Sequence, residues 1–156
     1  MRLSLVSVGK VLEPFVREAC AIYAAKIRRY ANFNLIVVPE EKIPSQGKRE
    51  YILRQEGRRI REKLRPNVFT VAVDERGKSL SSEAFARCLG KWGNSGLKEV
   101  TFFVGGPYGL DAALRAEADF CLSLSAMTWT HGLARMLLLE QIYRAFTILR
   151  GEPYHK

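Results

Sequence analysis

The sequence predicts an α/β fold, a mostly parallel sheet flanked by helices, within one domain spanning residues 1–156. Short apolar runs alternate with longer segments whose apolar residues recur at helical spacing. Two of the runs, Val68 to Val73 and Val100 to Val104, are almost continuously apolar, as parallel strands covered on both faces are. No internal repeat, low-complexity stretch or linker interrupts the chain, and its 156 residues are enough to bury one core.

Leu3 to Val8 reads as the first strand, stopped by Gly9. Pro14 suits the first position of a helix, where its missing N–H costs nothing, and Phe15, Ala19, Ile22, Ile27 and Tyr30 follow at helical spacing. Leu35 to Val38 is the second strand, ended by Pro39, and the polar residues 40–47 read as a loop. Lys48 to Arg65 reads as the second helix, with Leu53, Gly57, Ile60 and Leu64 along one face and Pro66 beyond its end. After the third strand, Val68 to Val73, Ser81 or Ser82 can cap a helix reaching Leu89, with Glu83 at its positive end. Gly90, Gly93 and Gly96 are then expected to break the chain. Val100 to Val104 is the fourth strand, Asp111 caps a short helix to about Glu117, and Phe120 to Leu124 is the fifth strand. Thr130 is placed to cap a long final helix from His131 to Leu149. Residues 151–156 form a polar tail that local reasoning leaves disordered.

Composition narrows the function. At 47% hydrophobic residues the chain is not intrinsically disordered. No run approaches the roughly 18 apolar residues of a membrane span, and the N-terminus lacks the apolar core of a signal peptide, so a cytoplasmic protein is expected. Cys20, Cys88 and Cys121 are widely spaced and only two histidines are present, which argues against a metal site. The formal net charge is +9. It is concentrated in residues 1–65, where 15 basic residues face 7 acidic ones, against 10 and 9 in residues 66–156. Such a surplus suits a polyanionic partner, or serves solubility alone. Arg54, Arg58, Arg61 and Arg65 share one face of the second helix, either as phosphate contacts or as a solvated surface.

Ligands in open α/β sheets bind beyond the carboxyl ends of strands. Three segments satisfy that condition: Asp74 to Gly77, Gly105 to Leu110 and Ser125 to Thr130. The second, with three glycines in five positions, lets backbone approach a ligand closely, or is simply a tight turn. It matches neither GxGxxG nor a Walker loop, which disfavours a phosphate cradle. The final helix is apolar on nearly every side, which points to a subunit interface or to deep burial. Glu140 and Arg144 stand four residues apart on it, in the order that favours an ion pair.

The segments FFVGGPYGL, SLSAMT and HGLARMLLLEQIYRAFTILRGEPYHK resemble the RlmH family of bacterial SPOUT-class methyltransferases, and the similarity runs the whole length of the chain. The resemblance implies an α/β domain with a C-terminal trefoil knot, S-adenosylmethionine as cofactor, and a homodimer with the last helix in the interface. It implies methylation at N3 of a pseudouridine in the helix 69 loop of 23S rRNA within the ribosome, and no role for DNA. The positions that would hold the cofactor are Val73, Gly105, Gly106, Ala126, Met127, Thr128, Trp129, Thr130 and His131. Thr130 stands where the family usually has proline. The expected RNA contacts are Arg54, Arg58 and Arg61.

For the chemistry, His155 is the natural base by side-chain type, Tyr154 can stack on or bond to the target, and Arg144, oriented by Glu140, can stabilise the anion that develops. Two other readings stay open at this point: an RNA-binding protein of the same fold without catalysis, and a nucleotide-cofactor oxidoreductase, against which the missing GxGxxG counts.

Overall fold

The computed structural model describes residues 1–42 and 48–156. Most of the loop expected at 40–47 therefore lies outside the described residues. Five strands, β1 (Arg2–Val8), β2 (Asn32–Val38), β3 (Phe69–Ser79), β4 (Glu99–Val104) and β5 (Phe120–Ser123), form one parallel sheet in the order β2-β1-β4-β3-β5. The helices between them are α1 (Pro14–Ile27), α2 (Arg49–Arg61), α3 (Ser82–Asn94), α4 (Ala112–Glu117) and α5 (His131–Leu149).

The alternation of side chains along each strand divides the core in two. Leu3 and Leu5 of β1, Val71 of β3 and Phe102 of β4 point to the side covered by α1, α3 and α5. Val6 and Val8, Ala72 and Phe103 point to the side covered by α2 and α4. Both layers are needed because β4 is buried along its whole length. Each fully buried phenylalanine of β4 contributes about 2–3 kcal/mol of transfer free energy.

Four helix starts match their sequence signals. Ser81, Asp111 and Thr130 accept bonds from the backbone N–H groups of Ala84, Leu114 and Leu133, and Pro14 opens α1. Four expectations need correction. First, α2 stops at Arg61 rather than Arg65, because residues 62–64 tighten into bonds such as Leu64 N–H to Arg61 C=O before Pro66, whose ring disfavours helical geometry at Arg65. Second, α3 runs through Gly90 and Gly93 to Asn94. A Cβ at Gly90 would stand 2.9 Å from Leu149 Cδ2, so the glycine lets α3 and α5 approach. The break comes at Gly96, with φ of 79°. Third, the chain does not leave the sheet after Val73. Val73 and Lys78 both pair with Leu122, so residues 74–77 are a bulge inside β3. Gly77 lies on the β5 backbone, where a Cβ would be 2.6 Å from Leu122 C. Fourth, the tail is ordered: Glu152 N–H donates to Thr147 C=O, and the residues after it fold back along α5.

Candidate active site

A cleft of about 450 Å³ opens at the carboxyl end of β4 and beside the bulge of β3. That volume suits a small organic ligand. All three segments expected beyond strand ends contribute to its wall. Val73, Gly105, Gly106, Met127, Thr128, Trp129 and His131 line it, together with Val104 and Leu124. Ala126 and Thr130 belong to the same segment but do not line the cleft.

The glycine turn owes its shape to backbone contact. Gly109 N–H donates to Gly106 C=O at 2.9 Å, and Gly109 has φ of 89°. A Cβ at Gly105 would press on the Gly109 carbonyl and stand 2.9 Å from Leu110 N. Helix α2 braces the turn from outside. Arg49 donates to Tyr108 C=O at 3.0 Å, and Gly57 allows Asp111 to approach, with 3.0 Å between a Cβ there and Asp111 Cβ. The Glu56 carboxyl lies against Gly106, its Oε2 3.0 Å from where a Cβ would be. Sequence reasoning missed Glu56, which is 2% exposed. Its Oε1 accepts from Glu41 N–H, its Oε2 has no partner among the described residues, and burial pushes its pKa up.

The remaining walls are held by side-chain bonds. Asp74 accepts from Arg76 N–H and pairs with Arg115 at 3.3 Å. Ser125 accepts from Met127 N–H at 2.9 Å, and Thr128 donates to Glu75 at 3.3 Å. His131 Nε2 is buried without a partner. Four residues on, the buried Arg135 donates to Val8 C=O and Gly9 C=O, the second at 2.7 Å, and so caps the end of β1. Nothing in the helical periodicity marked Arg135 as buried.

The second group of expected residues gathers elsewhere. Arg144 donates to Glu140 through Nε at 3.0 Å and through a terminal nitrogen at 2.6 Å. Tyr154 O–H donates to the same Glu140 oxygen at 2.9 Å. Burial comes first, and bonds to Tyr23 and Glu140 follow, in holding the Tyr154 pKa well above the usual phenol value. The Glu140 bond raises the Arg144 pKa. His155 places Nδ1 3.4 Å from Arg144 and Nε2 2.8 Å from Glu83. The Ser81 hydroxyl first, then the Glu83 backbone and His155, lower Glu83 to about 2. None of these four residues lines the cleft. Glu140 lies nine residues along α5 from His131, ~14 Å at the helical rise, and Arg144 lies ~20 Å away.

Of the arginine row, Arg54 is exposed and makes no ion pair among the described residues. Arg58 pairs with Glu62 at 3.6 Å across an exposed face. Arg61 is tied down, to Glu117 at 3.0 Å and Asp111 at 3.4 Å. Among the described residues there is no cluster of metal-ligating side chains, and no helix is long and apolar enough to cross a membrane.

A family model described as "Predicted SPOUT methyltransferase" matches residues 1–155. Ribosomal RNA large subunit methyltransferase H from Syntrophotalea carbinolica is 44% identical over 155 residues, covering 99% of each chain. The protein of the same name from Carboxydothermus hydrogenoformans is 43% identical over the whole of both chains. Among solved structures, a tRNA methyltransferase from Aquifex aeolicus superimposes with a TM-score of 0.51 at 10% identity, covering 92% of this chain and 70% of that one, a likeness of fold.

Proposed function

This chain belongs to the SPOUT methyltransferase family, and on that premise we propose that it methylates large-subunit ribosomal RNA, at N3 of a pseudouridine in the helix 69 loop. The observation that carries the reading is the cleft between the end of β4 and the bulge of β3, walled by the glycine turn and the segment entering α5. S-adenosylmethionine, the methyl donor of the family, fits the residues present. The glycine turn offers backbone at close range, Val73, Val104 and Leu124 give an apolar floor, and His131 Nε2 is a buried polar atom without a partner. Val73, Gly105, Gly106, Met127, Thr128, Trp129 and His131 would hold it, with Ala126 and Thr130 shaping the same segment from outside the cleft. When bound it supplies an electrophilic methyl carbon.

The chain's own residues have three tasks. The cleft must hold donor and acceptor in line, which is a large share of the rate of such a displacement. Arg144, fixed by two bonds to Glu140, is placed to stabilise negative charge on an imide base as its proton leaves. His155 is the group that can take that proton. With Nδ1 turned to the Arg144 guanidinium it accepts there, so Nε2 carries the hydrogen and donates to Glu83. Taking a proton requires Nδ1 to leave Arg144. Tyr154 remains a phenol, so its part is to donate to Glu140 and to present a ring for stacking.

The distance between tail and cleft within one chain supports a homodimer in which each tail serves the other copy's cleft. A C-terminal trefoil knot and action in the cytoplasm follow from the same family reading. Arg54, Arg58 and Arg61 are the proposed RNA contacts. Transfer of a tritiated methyl group to ribosomes, to separated subunits and to naked ribosomal RNA tests reaction, donor and substrate together. Label in the helix 69 pseudouridine is the expected result. Cofactor binding with no transfer to any of the three would refute the reading.

A further inference from the structure

Lys26 lies among aromatic rings contributed by three parts of the chain. Its ammonium is 5.0 Å from the ring centre of Tyr143 on α5, 5.3 Å from Tyr23 on α1, and 5.9 Å from Tyr154 in the tail. All three distances fall within the range of attraction between a cation and a ring face. The rings also pack on one another, with Tyr143 and Tyr154 edge to face at 4.7 Å and Tyr23 6.1 Å from Tyr143. Lys26 forms no ion pair among the described residues. Glu140, the carboxylate of this cluster, is already engaged by Tyr154, Arg144 and Gln141. A lysine with no carboxylate, set against three rings, has the rings as its counter-charge.

Just beyond α1, Tyr30 donates to Glu152, so Tyr23 and Lys26 of α1 and Tyr30 in the turn after it form a seat for the tail. The seat has a mechanical consequence. Tyr154 is the tail residue that touches Glu140, and His155 follows it in the chain onto Arg144. Whatever fixes the Tyr154 ring also fixes His155 relative to the guanidinium.

We propose that Lys26 is a positioning residue for the catalytic tail: its ammonium joins the rings of Tyr23, Tyr143 and Tyr154, and thereby holds Tyr154 on Glu140 and His155 on Arg144. The proposal rests on the reading of the tail as the source of the chemistry. It makes Lys26 distinct from the docking arginines of α2, because its ammonium lies against three rings.

The test is steady-state methyl transfer to ribosomes by the full-length protein carrying Lys26→Met, Lys26→Arg, or a deletion of residues 154–156. Methionine keeps the length and apolar stem but loses the charge, whereas arginine keeps a cation that stacks on rings. Lys26→Met should lower kcat on the order of tenfold, leave the KM for S-adenosylmethionine unchanged, and be largely rescued by arginine. Failure of arginine to rescue would overturn the proposal. So would a rise in the KM for ribosomes with a flatter salt dependence, which would make Lys26 an RNA contact. Wild-type kcat in Lys26→Met beside an inactive deletion would overturn the Lys26 assignment alone. Wild-type kcat in the deletion would overturn the reading of the tail, and this proposal with it.

Discussion

Replacing Gly105 by alanine adds a single methyl group at the point where the chain is closest to itself. That carbon would stand 2.9 Å from Leu110 N and nearer still to the Gly109 carbonyl, whereas carbon contacts are comfortable only from ~3.5 Å. The atoms it meets are backbone, so no rotamer change relieves the clash. The turn must open, and it is braced by Arg49 on Tyr108 and by the Gly106–Gly109 bond. Overpacking of this kind costs ~1–3 kcal/mol. If the cost falls on the cofactor seat, affinity for S-adenosylmethionine drops by about ten- to a hundredfold, at ~1.4 kcal/mol per decade. Calorimetric titration measures that affinity, and thermal denaturation measures what falls on the fold instead. Gly96→Ala is the control. Its φ of 79° makes alanine costly there through the backbone alone, nothing lies within 4 Å of its Cβ, and it does not line the cleft. Gly105→Ala with wild-type cofactor affinity and unchanged Tm would refute the argument that this turn shapes the cleft.

Three further outcomes are expected. Arg54→Gln should reduce the slope of log affinity for ribosomes against log salt by ~0.7–0.9 for each phosphate that the arginine neutralises, with little change in Tm. Arg61→Gln should in addition lower Tm, since it releases Glu117 and Asp111; equal Tm for the two variants would contradict this distinction. Gly90→Ala should be neutral or stabilising by up to ~1 kcal/mol in urea denaturation, because helix propensity improves and the one close neighbour is the end of the flexible, half-exposed Leu149 side chain; destabilisation by ~1 kcal/mol would show that the α3–α5 approach has no slack. Glu56→Gln should gain stability over wild type as pH rises from 4 to 7. Burial raises the folded-state pKa of Glu56, so the folded state keeps a proton that the unfolded state sheds above ~4.3, and wild-type stability falls with rising pH where the variant's does not. Parallel stability curves for the two proteins would contradict the assigned ionisation.

The legible parts of the fold are those decided within a few residues. Thr130 as a cap, Pro14 at a helix start and the apolar run of β4 are local facts, and the structure has all three where they were expected. The errors come from contacts distant in sequence. Gly90 is a helix breaker in isolation, but here it meets Leu149, and its low helix propensity is offset by packing between α3 and α5. Asp74, Glu75 and Arg76 look like loop residues because they are polar, yet pairing of Val73 and Lys78 with Leu122 keeps them within the span of β3. The tail has no local reason for order. Its partners are Tyr23 on α1, Tyr30 in the turn after it, Glu83 on α3, and Glu140 and Arg144 on α5.

The site follows the same division. Its cleft was readable because glycines after a buried strand, and a cap before a long helix, are signals written in adjacent residues. The charged residues that brace it were not. Glu56 and Arg135 carry no period or motif, and a buried charge becomes intelligible only through the groups around it, the glycine turn for one and the β1 carbonyls for the other. The separation of tail and cleft was half legible. The expected helix from His131 to Leu149 already sets Glu140 and Arg144 well away from its first turn, but the return of the tail onto those two residues rests on contacts distant in sequence. On the proposed reading, α5 carries the cofactor segment at its first turn and Glu140 and Arg144 two to four turns later. A rigid rod of that length cannot bend one end onto the other, which is why each tail is proposed to serve the cleft of a second copy.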